Sequence, residues 1–190
     1  MDILKFYSWR HLIWIGILVL LSSSTVYAQV FSDQHDISFT LPEVALIDVE
    51  PDGSAVILSL NIPLDAGSPL IVGTTQNQTK WLNYSSSVAA TGSTRTITAH
   101  FNNNILPKGL IVKLEVSAYT GSGAGVFGKP SSPVILDVTP KAILSGIGGC
   151  FTGDGTGNGH QLKYSVEITD YSALSFDQSD TMEIIFTITD

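Results

Sequence analysis

The alternation of apolar and polar residues at a period of two limits the fold of this chain more than any other feature. It is clearest over residues 110–118, where leucine and valine alternate with lysine, glutamate and serine. Successive side chains of a strand point to opposite faces, so this stretch predicts a strand with one buried and one wet face. We predict further strands at 56–62, 95–101, 163–169 and 183–189, and shorter ones at 37–41, 45–49, 70–75, 80–84, 134–138 and 142–145.

Turn-forming residues separate these stretches. Pro51-Asp52-Gly53 is typical, because proline fixes φ and glycine permits positive φ. Residues 120–128 are predicted to form a Gly-rich loop, and no helical stripe of ten residues is present. A parallel sheet needs crossover connections, which are usually helical. We therefore predict an all-β fold: a single-domain antiparallel β-sandwich of immunoglobulin-like or pilin-like layout.

The first residues predict a signal peptide. Positive charge at Lys5 and Arg10 precedes an unbroken apolar run at 12–21, and small residues follow up to Ala28. The run is shorter than the ~20 residues that span a bilayer. We expect residues 1–28 to be removed and residues 29–190 to be secreted, periplasmic or at the cell surface. An uncleaved N-terminal anchor is the alternative. No second such run follows, so we expect no membrane span after cleavage.

The charge balance excludes some partners. The formal net charge is −8 at pH 7, and an acidic surface repels nucleic acid and anionic lipid. The only cysteine, Cys150, has no partner for an internal disulfide. It is interpreted as a buried small apolar side chain. A nucleophile or an intermolecular disulfide is the alternative for this residue.

A glycine-rich segment stands out at Gly146–Gly159, where seven of the fourteen residues are glycine. Glycine loses the most backbone entropy on folding, so this density needs a structural or functional reason. One reading is a tightly turning loop between two strands. The other is a calcium loop, with Asp154 and Asn158 as oxygen ligands. Only one carboxylate is present there, and the spacing of an EF-hand is absent.

Three aromatic residues at predicted loop positions, Phe127, Phe151 and Tyr171, are candidates for a ligand platform, because an exposed ring stacks on a sugar face. Rings folded back onto the domain are the alternative. The sequence contains neither the GxSxG nor the HExxH motif. A triad of His160, Asp170 and a serine has no motif behind it. We expect no enzymatic activity, and no cofactor other than the calcium considered above.

The C-terminal half resembles a known group of proteins. Residues 150–166 (CFTGDGTGNGHQLKYSV) and 170–174 (DYSAL), with WLNY at 81–84, RTITA at 95–99 and LPKGL at 106–110, are similar to uncharacterised secreted β-sandwich proteins of Bacteroidota-type bacteria. The layout also resembles that of pilin or fimbrial subunits. The resemblance implies an exported sandwich and no known activity, so no functional residue is carried over. Many pilins contain a disulfide, which a single cysteine cannot form internally.

These observations favour a structural or interaction protein that assembles with itself or with a surface protein. Strand exchange is the expected route, because an exposed sheet edge offers unpaired backbone groups that a donated strand satisfies. The candidate donors are Gln29–Leu41 and Thr181–Asp190; each is alternatively a strand of its own domain. A carbohydrate-binding or adhesin module, assisted by calcium, is the second hypothesis. A secreted hydrolase is the third.

Overall fold

The described part of the protein is all-β. A computed structural model describes residues 31–70, 76–103, 108–175 and 181–190, and within these ranges the only helical element is a 3₁₀ turn at Tyr171–Ala173. The strands are β1 (Val44–Glu50), β2 (Gln76–Ser87), β3 (Arg95–Phe101), β4 (Leu110–Val116), β5 (Ala124–Pro130), β6 (Val134–Ile135), β7 (Lys141–Phe151), β8 (His160–Ile168) and β9 (Ile184–Thr189).

These strands form one antiparallel sheet in which two strands change partners. The pairing order is β6-β4-β8-β2-β7-β3-β9, with β1 paired to β2 and β5 paired to β7. The first part of β2 pairs with β8, and then Ser85 and Ser86 pair with the end of β7. β1 runs along β2 from Val44 opposite Ser87 to Glu50 opposite Trp81. Among the described strands β1 pairs only with β2, and it also lies close to β9.

One apolar cluster holds the strands together. The burial of β3 alternates without a break, since Ile97, Ala99 and Phe101 are buried while the intervening residues are only partly so. This is the pattern that period-two alternation predicts. The cluster is completed by side chains from β2, β4, β7 and β8 and from the segment after β6, namely Leu82, Tyr84, Val112, Leu114, Val116, Leu136, Ile143, Leu144, Ile147, Leu162 and Tyr164.

Arg95, a buried residue at the start of β3, ties β1 to the chain terminus. Its Nη2 lies 2.5 Å from Glu43 Oε1, and its Nε lies 2.7 Å from Asp190 Oδ1. Its Nη1 donates to the Val44 carbonyl oxygen. The guanidinium therefore brings the beginning of β1 and the end of β9 to the same place.

Most predicted strands are confirmed, although four segments differ. In the 56–62 stretch Val56 and Leu58 pack against the core as the alternation indicates, but the stretch contains only one β-bridge residue, Asn61, and no strand. The 37–41 stretch also forms no strand. Conversely, β5 occupies part of the predicted 120–128 loop, and β7 continues through Phe151. A glycine-rich strand cannot be recognised from the alternation of apolar and polar residues, because glycine has no side chain.

The chain divides into two compact units, Met1–Thr40 and Leu41–Asp190. The second unit contains all nine strands. Of the first unit, only residues 31–40 are described, so the predicted signal peptide 1–28 lies outside the described residues, as do 71–75 of the predicted 70–75 strand. In the ranges that are described, no helix has the length and apolar character needed to cross a membrane.

Candidate functional site

An open cleft of ≈ 330 Å³ is lined by β1, β2, the end of β7 and the loop that follows it. Asp48 lies opposite Asn83, and Ser85 pairs with both Leu46 and Phe151. Residues opposite one another in adjacent strands share a face. The alternate residues of β1 pack against the core, so these five side chains belong to the outer face. The cleft thus combines an exposed ring with carboxylate, amide and hydroxyl groups.

The loop of residues 152–159, which follows β7, is held by its own side chains. Asn158 Oδ1 accepts from the Ser122 N–H at 3.1 Å and lies 3.3 Å from Ser122 Oγ, while Asn158 Nδ2 donates to the Asp154 carbonyl oxygen at 2.7 Å. A carbonyl oxygen has two lone pairs, so Ser122 already occupies the oxygen proposed as a calcium ligand. The Asp154 carboxylate is exposed and lines the cleft.

The three candidate platform rings do not come together. Phe127, on β5, stacks on Tyr119 with ring centroids 3.6 Å apart and planes 11° from parallel. Phe151 is 52% exposed and lines the cleft. Tyr171 lies in the 3₁₀ turn after the last residue of β8, whereas the 152–159 loop enters the first residue of β8. Phe151 alone is therefore placed to contact a ligand in the cleft.

A row of carboxylates escaped the sequence analysis. Asp48, Glu50 and Asp52 offer oxygens that all lie within 4.8 Å of one another. The sequence signal was the spacing of two between Asp48 and Glu50, which places both side chains on one face of β1; Asp52 lies in the turn that follows the strand. The alternating apolar residues of this stretch indicate only the opposite face, which packs against the core.

His160 is a fully buried side chain at the start of β8. Its Nδ1 donates to the Ser117 carbonyl oxygen at 2.8 Å, and its Nε2 lies 2.9 Å from the Tyr84 hydroxyl. Burial lowers the pKa of His160, against the opposing effect of the Ser117 hydrogen bond. Burial likewise raises the pKa of Tyr84. Asp170 follows the far end of β8, so the structure does not bring together the pair considered for a triad.

Cys150, next to the cleft residue Phe151, is half-buried and packs against the core cluster. Burial raises the pKa of its thiol. A raised pKa reduces the thiolate fraction at neutral pH, and the thiolate is the reactive form. The environment therefore fits the structural interpretation of Cys150 better than that of a nucleophile, although the side chain is less buried than expected.

Comparison of the chain with protein-family models, curated proteins and solved structures found no match in any of the three.

Proposed function

We propose that this protein is an exported structural subunit that assembles with copies of itself by strand exchange. The donor would be the segment that precedes β1. The observation that carries this proposal is the exposure of Ile37, Phe39 and Leu41, at 81%, 82% and 82% respectively. The segment lies outside every strand, and these three side chains alternate with polar or small residues.

Burial of the three exposed side chains on a partner gives a free energy comparable to the cost of ordering the donor segment. Burying one such side chain contributes ~1.5–3 kcal/mol, so three contribute about 4–9 kcal/mol. Ordering the backbone costs ~1–2 kcal/mol per residue. Burial therefore offsets most of the ordering of a five-residue donor. Hydrogen bonds to an open sheet edge add ~0.5–1.5 kcal/mol each.

The edge of β9 that does not pair with β3 is the proposed acceptor. The inward residues Ile184, Phe186 and Ile188 are only half-buried, although their partners on β3 are buried. A strand added beside β9 would cover them, and its apolar residues need the spacing of two that Ile37, Phe39 and Leu41 have. The other candidate donor, Thr181–Asp190, contains β9 itself, which pairs with β3 of the same chain. This leaves the N-terminal segment as the donor.

The sandwich layout belongs to the same proposal. The core cluster combines residues of β4 and β8 with residues of β3 and β7, which lie on either side of β2 in the pairing order. Side chains from distant strands of one sheet meet if the sheet folds over on itself. In this proposal the sheet turns over at the point where β2 stops pairing with β8 and begins to pair with β7. An exported sandwich of this kind agrees with the resemblance to secreted Bacteroidota-type and pilin-like proteins.

The test compares two faces of the donor segment in the full chain, exported and purified. The double substitution Ile37→Asp/Phe39→Asp alters the apolar face, and Ser38→Asp/Thr40→Asp adds the same charge to the alternate residues. Light scattering after size exclusion gives the molar mass of each. We expect oligomers for the wild type and for the polar-face variant, and monomer for the apolar-face variant. A monomeric wild type, or equal masses for both variants, would refute strand exchange.

The cleft favours a second candidate, a carbohydrate-binding adhesin module. An exposed ring beside polar groups is the usual composition of a saccharide site, and Phe151 has this position with Asn83 and Asp154. Retention on immobilised glycans tests it, with Phe151→Ala as the variant and Tyr171→Ala as the control, since Tyr171 is exposed to the same degree. Loss of retention in both variants alike, or no retention at all, would count against a site in the cleft.

A further inference from the structure

The open cleft on β1 and β2 carries negative charge that its own lining does not balance. Asp48 and Asp154, both exposed, line the cleft from β1 and from the 152–159 loop. Neither carboxylate belongs to an ion pair of the described residues. Among the described residues that line the cleft there is no lysine, arginine or histidine. A ligand with positive charge would therefore complement this surface.

The polar side chains of the cleft offer acceptors and few donors. Asn83 is buried, with 4% of the residue exposed; its Nδ2 donates to the Asn158 carbonyl oxygen at 2.6 Å, and its Oδ1 has no hydrogen-bond partner. A buried acceptor without a partner is uncommon, because it loses its hydration and gains nothing in return. The Tyr84 hydroxyl donates to the Phe127 carbonyl oxygen. Of the described lining side chains, this leaves the Ser85 hydroxyl as the donor that can serve a ligand.

The same cleft has an apolar part that adjoins the carboxylates. Leu46 and Phe151 lie on either side of Ser85 across three strands, and they are 66% and 52% exposed. The face of an aromatic ring attracts a cation, because its quadrupole is negative there. The ring also offers an apolar surface to the C–H groups of a sugar. The cleft can thus contact an apolar face and a cation of one ligand together.

We propose that the cleft binds a saccharide that carries a protonated primary amine, such as an oligomer of glucosamine. This inference rests on the carbohydrate-binding candidate above and names its ligand class. An ammonium group has three N–H donors and no acceptor, so it matches a cleft whose free groups are acceptors. Hydrogen bonds from a cation to a carboxylate are also stronger than neutral ones. An anionic saccharide would be repelled by Asp48 and Asp154.

Other cationic or apolar occupants fit the cleft less well. A second copy of the chain has a formal net charge of −8 and would add negative charge to the site. A lysine side chain of a peptide has the same ammonium group, but it lies on a flexible stem whose ordering costs conformational entropy. The amine of a sugar ring is held rigidly beside the face that stacks on Phe151. Rigid ligands lose less entropy on binding.

Two oligomers with the same backbone test the role of the amine. Isothermal titration calorimetry measures binding of a glucosamine tetramer and of an N-acetylglucosamine tetramer to the exported full chain. We expect the amine form to bind about tenfold more tightly or better, and this advantage to disappear as rising pH removes the proton of the amine. Equal affinities overturn the inference but leave the carbohydrate-binding module standing. No binding of any saccharide would refute both.

Substitutions in the cleft separate specific binding from attraction to the acidic chain. Asp48→Asn and Asp154→Asn should each weaken binding of the glucosamine tetramer about tenfold and leave the N-acetylated tetramer unaffected. Phe151→Ala should weaken binding of both. Asp65→Asn removes the same charge from an exposed turn outside the cleft and should bind as the wild type does. Circular dichroism checks that each variant folds.

Two results with these variants would overturn the proposal. If Asp65→Asn weakens binding as much as Asp154→Asn, the net charge of the chain and not the cleft attracts the oligomer. If tetralysine binds as tightly as the glucosamine tetramer and is lost in Asp154→Asn, the cleft recognises a basic peptide and not a saccharide.

Discussion

Gly159 joins the 152–159 loop to β8, and we predict that Gly159→Ala is strongly destabilising for two separable reasons. Its φ is +85°, a conformation that residues with a Cβ rarely adopt, and a Cβ there would lie 2.1 Å from the Leu82 carbonyl oxygen. Gly159 cannot move away from β2, because its N–H and carbonyl oxygen both bond to Thr120 at 2.8 and 2.9 Å.

Other glycines separate the two contributions. Gly155 has φ +80° and nothing within 4 Å of its Cβ position, so Gly155→Ala measures backbone strain alone. A Cβ on Gly123 would lie 2.0 Å from the Phe151 carbonyl oxygen without a positive φ, so Gly123→Ala measures the clash alone. Strain of the first kind costs ~1–2 kcal/mol, and overpacking costs ~1–3 kcal/mol. We expect about 2–5 kcal/mol for Gly159→Ala, the sum of the two.

Urea unfolding, followed by tryptophan fluorescence and extrapolated linearly, gives the free energy of unfolding for each variant. Gly149→Ala is the control, because Gly149 has neither a positive φ nor a neighbour within 4 Å of its Cβ position, and it should change stability by less than ~0.5 kcal/mol. A thermal midpoint falls by ~2–4 °C per kcal/mol for a unit of this size. If Gly159→Ala unfolds at the same urea concentration as Gly155→Ala, the clash with β2 is not real.

Three further predictions concern His160, two aromatic rings and Cys150. The folded-state pKa of His160 is lowered below the ordinary 6.5, so its stabilising contribution is complete above the unfolded pKa and is lost as pH falls through the folded pKa. Urea midpoints should fall with pH in this window, and less so in His160→Asn. Phe127→Ala should cost ~2–4 kcal/mol, because it removes a stacked ring, and Phe151→Ala less than ~1 kcal/mol; urea unfolding compares them. Cys150 should react with a disulfide reagent more slowly in the folded chain than in urea, because burial raises its thiol pKa, and equal rates would contradict this.

The strands that the sequence predicted well are those with side chains on both faces. The predicted 95–101 strand has the same bounds as β3, and the predicted 110–118 strand contains all of β4. Alternation is reliable there because one face meets the core and the other meets water. At 56–62 the alternation identifies a face that packs against the core, but the stretch contains a single β-bridge residue, Asn61, and no strand. Burial of alternate side chains needs only an extended chain, whereas a strand also needs a neighbour for its backbone.

The cleft was beyond sequence analysis because its residues meet only through strand register. Leu46, Ser85 and Phe151 come from three strands whose pairing cannot be read from one sequence. His160 illustrates the opposite case, since the sequence considered alone offered it only as a member of a triad that has no motif. The structure shows why it is buried: the Ser117 carbonyl and the Tyr84 hydroxyl satisfy both ring nitrogens. Polar residues in a core become predictable only when their partners are known.

The acidic residues Asp48 and Glu50 of β1 also affect association, because β1 pairs only with β2 among the described strands and charge on an edge strand discourages pairing with another chain. Asp48→Asn/Glu50→Gln should therefore associate more than the wild type, because it removes two negative charges from this strand, and light scattering measures the difference. Equal association of the variant and the wild type would show that these carboxylates do not protect β1 from pairing with another chain.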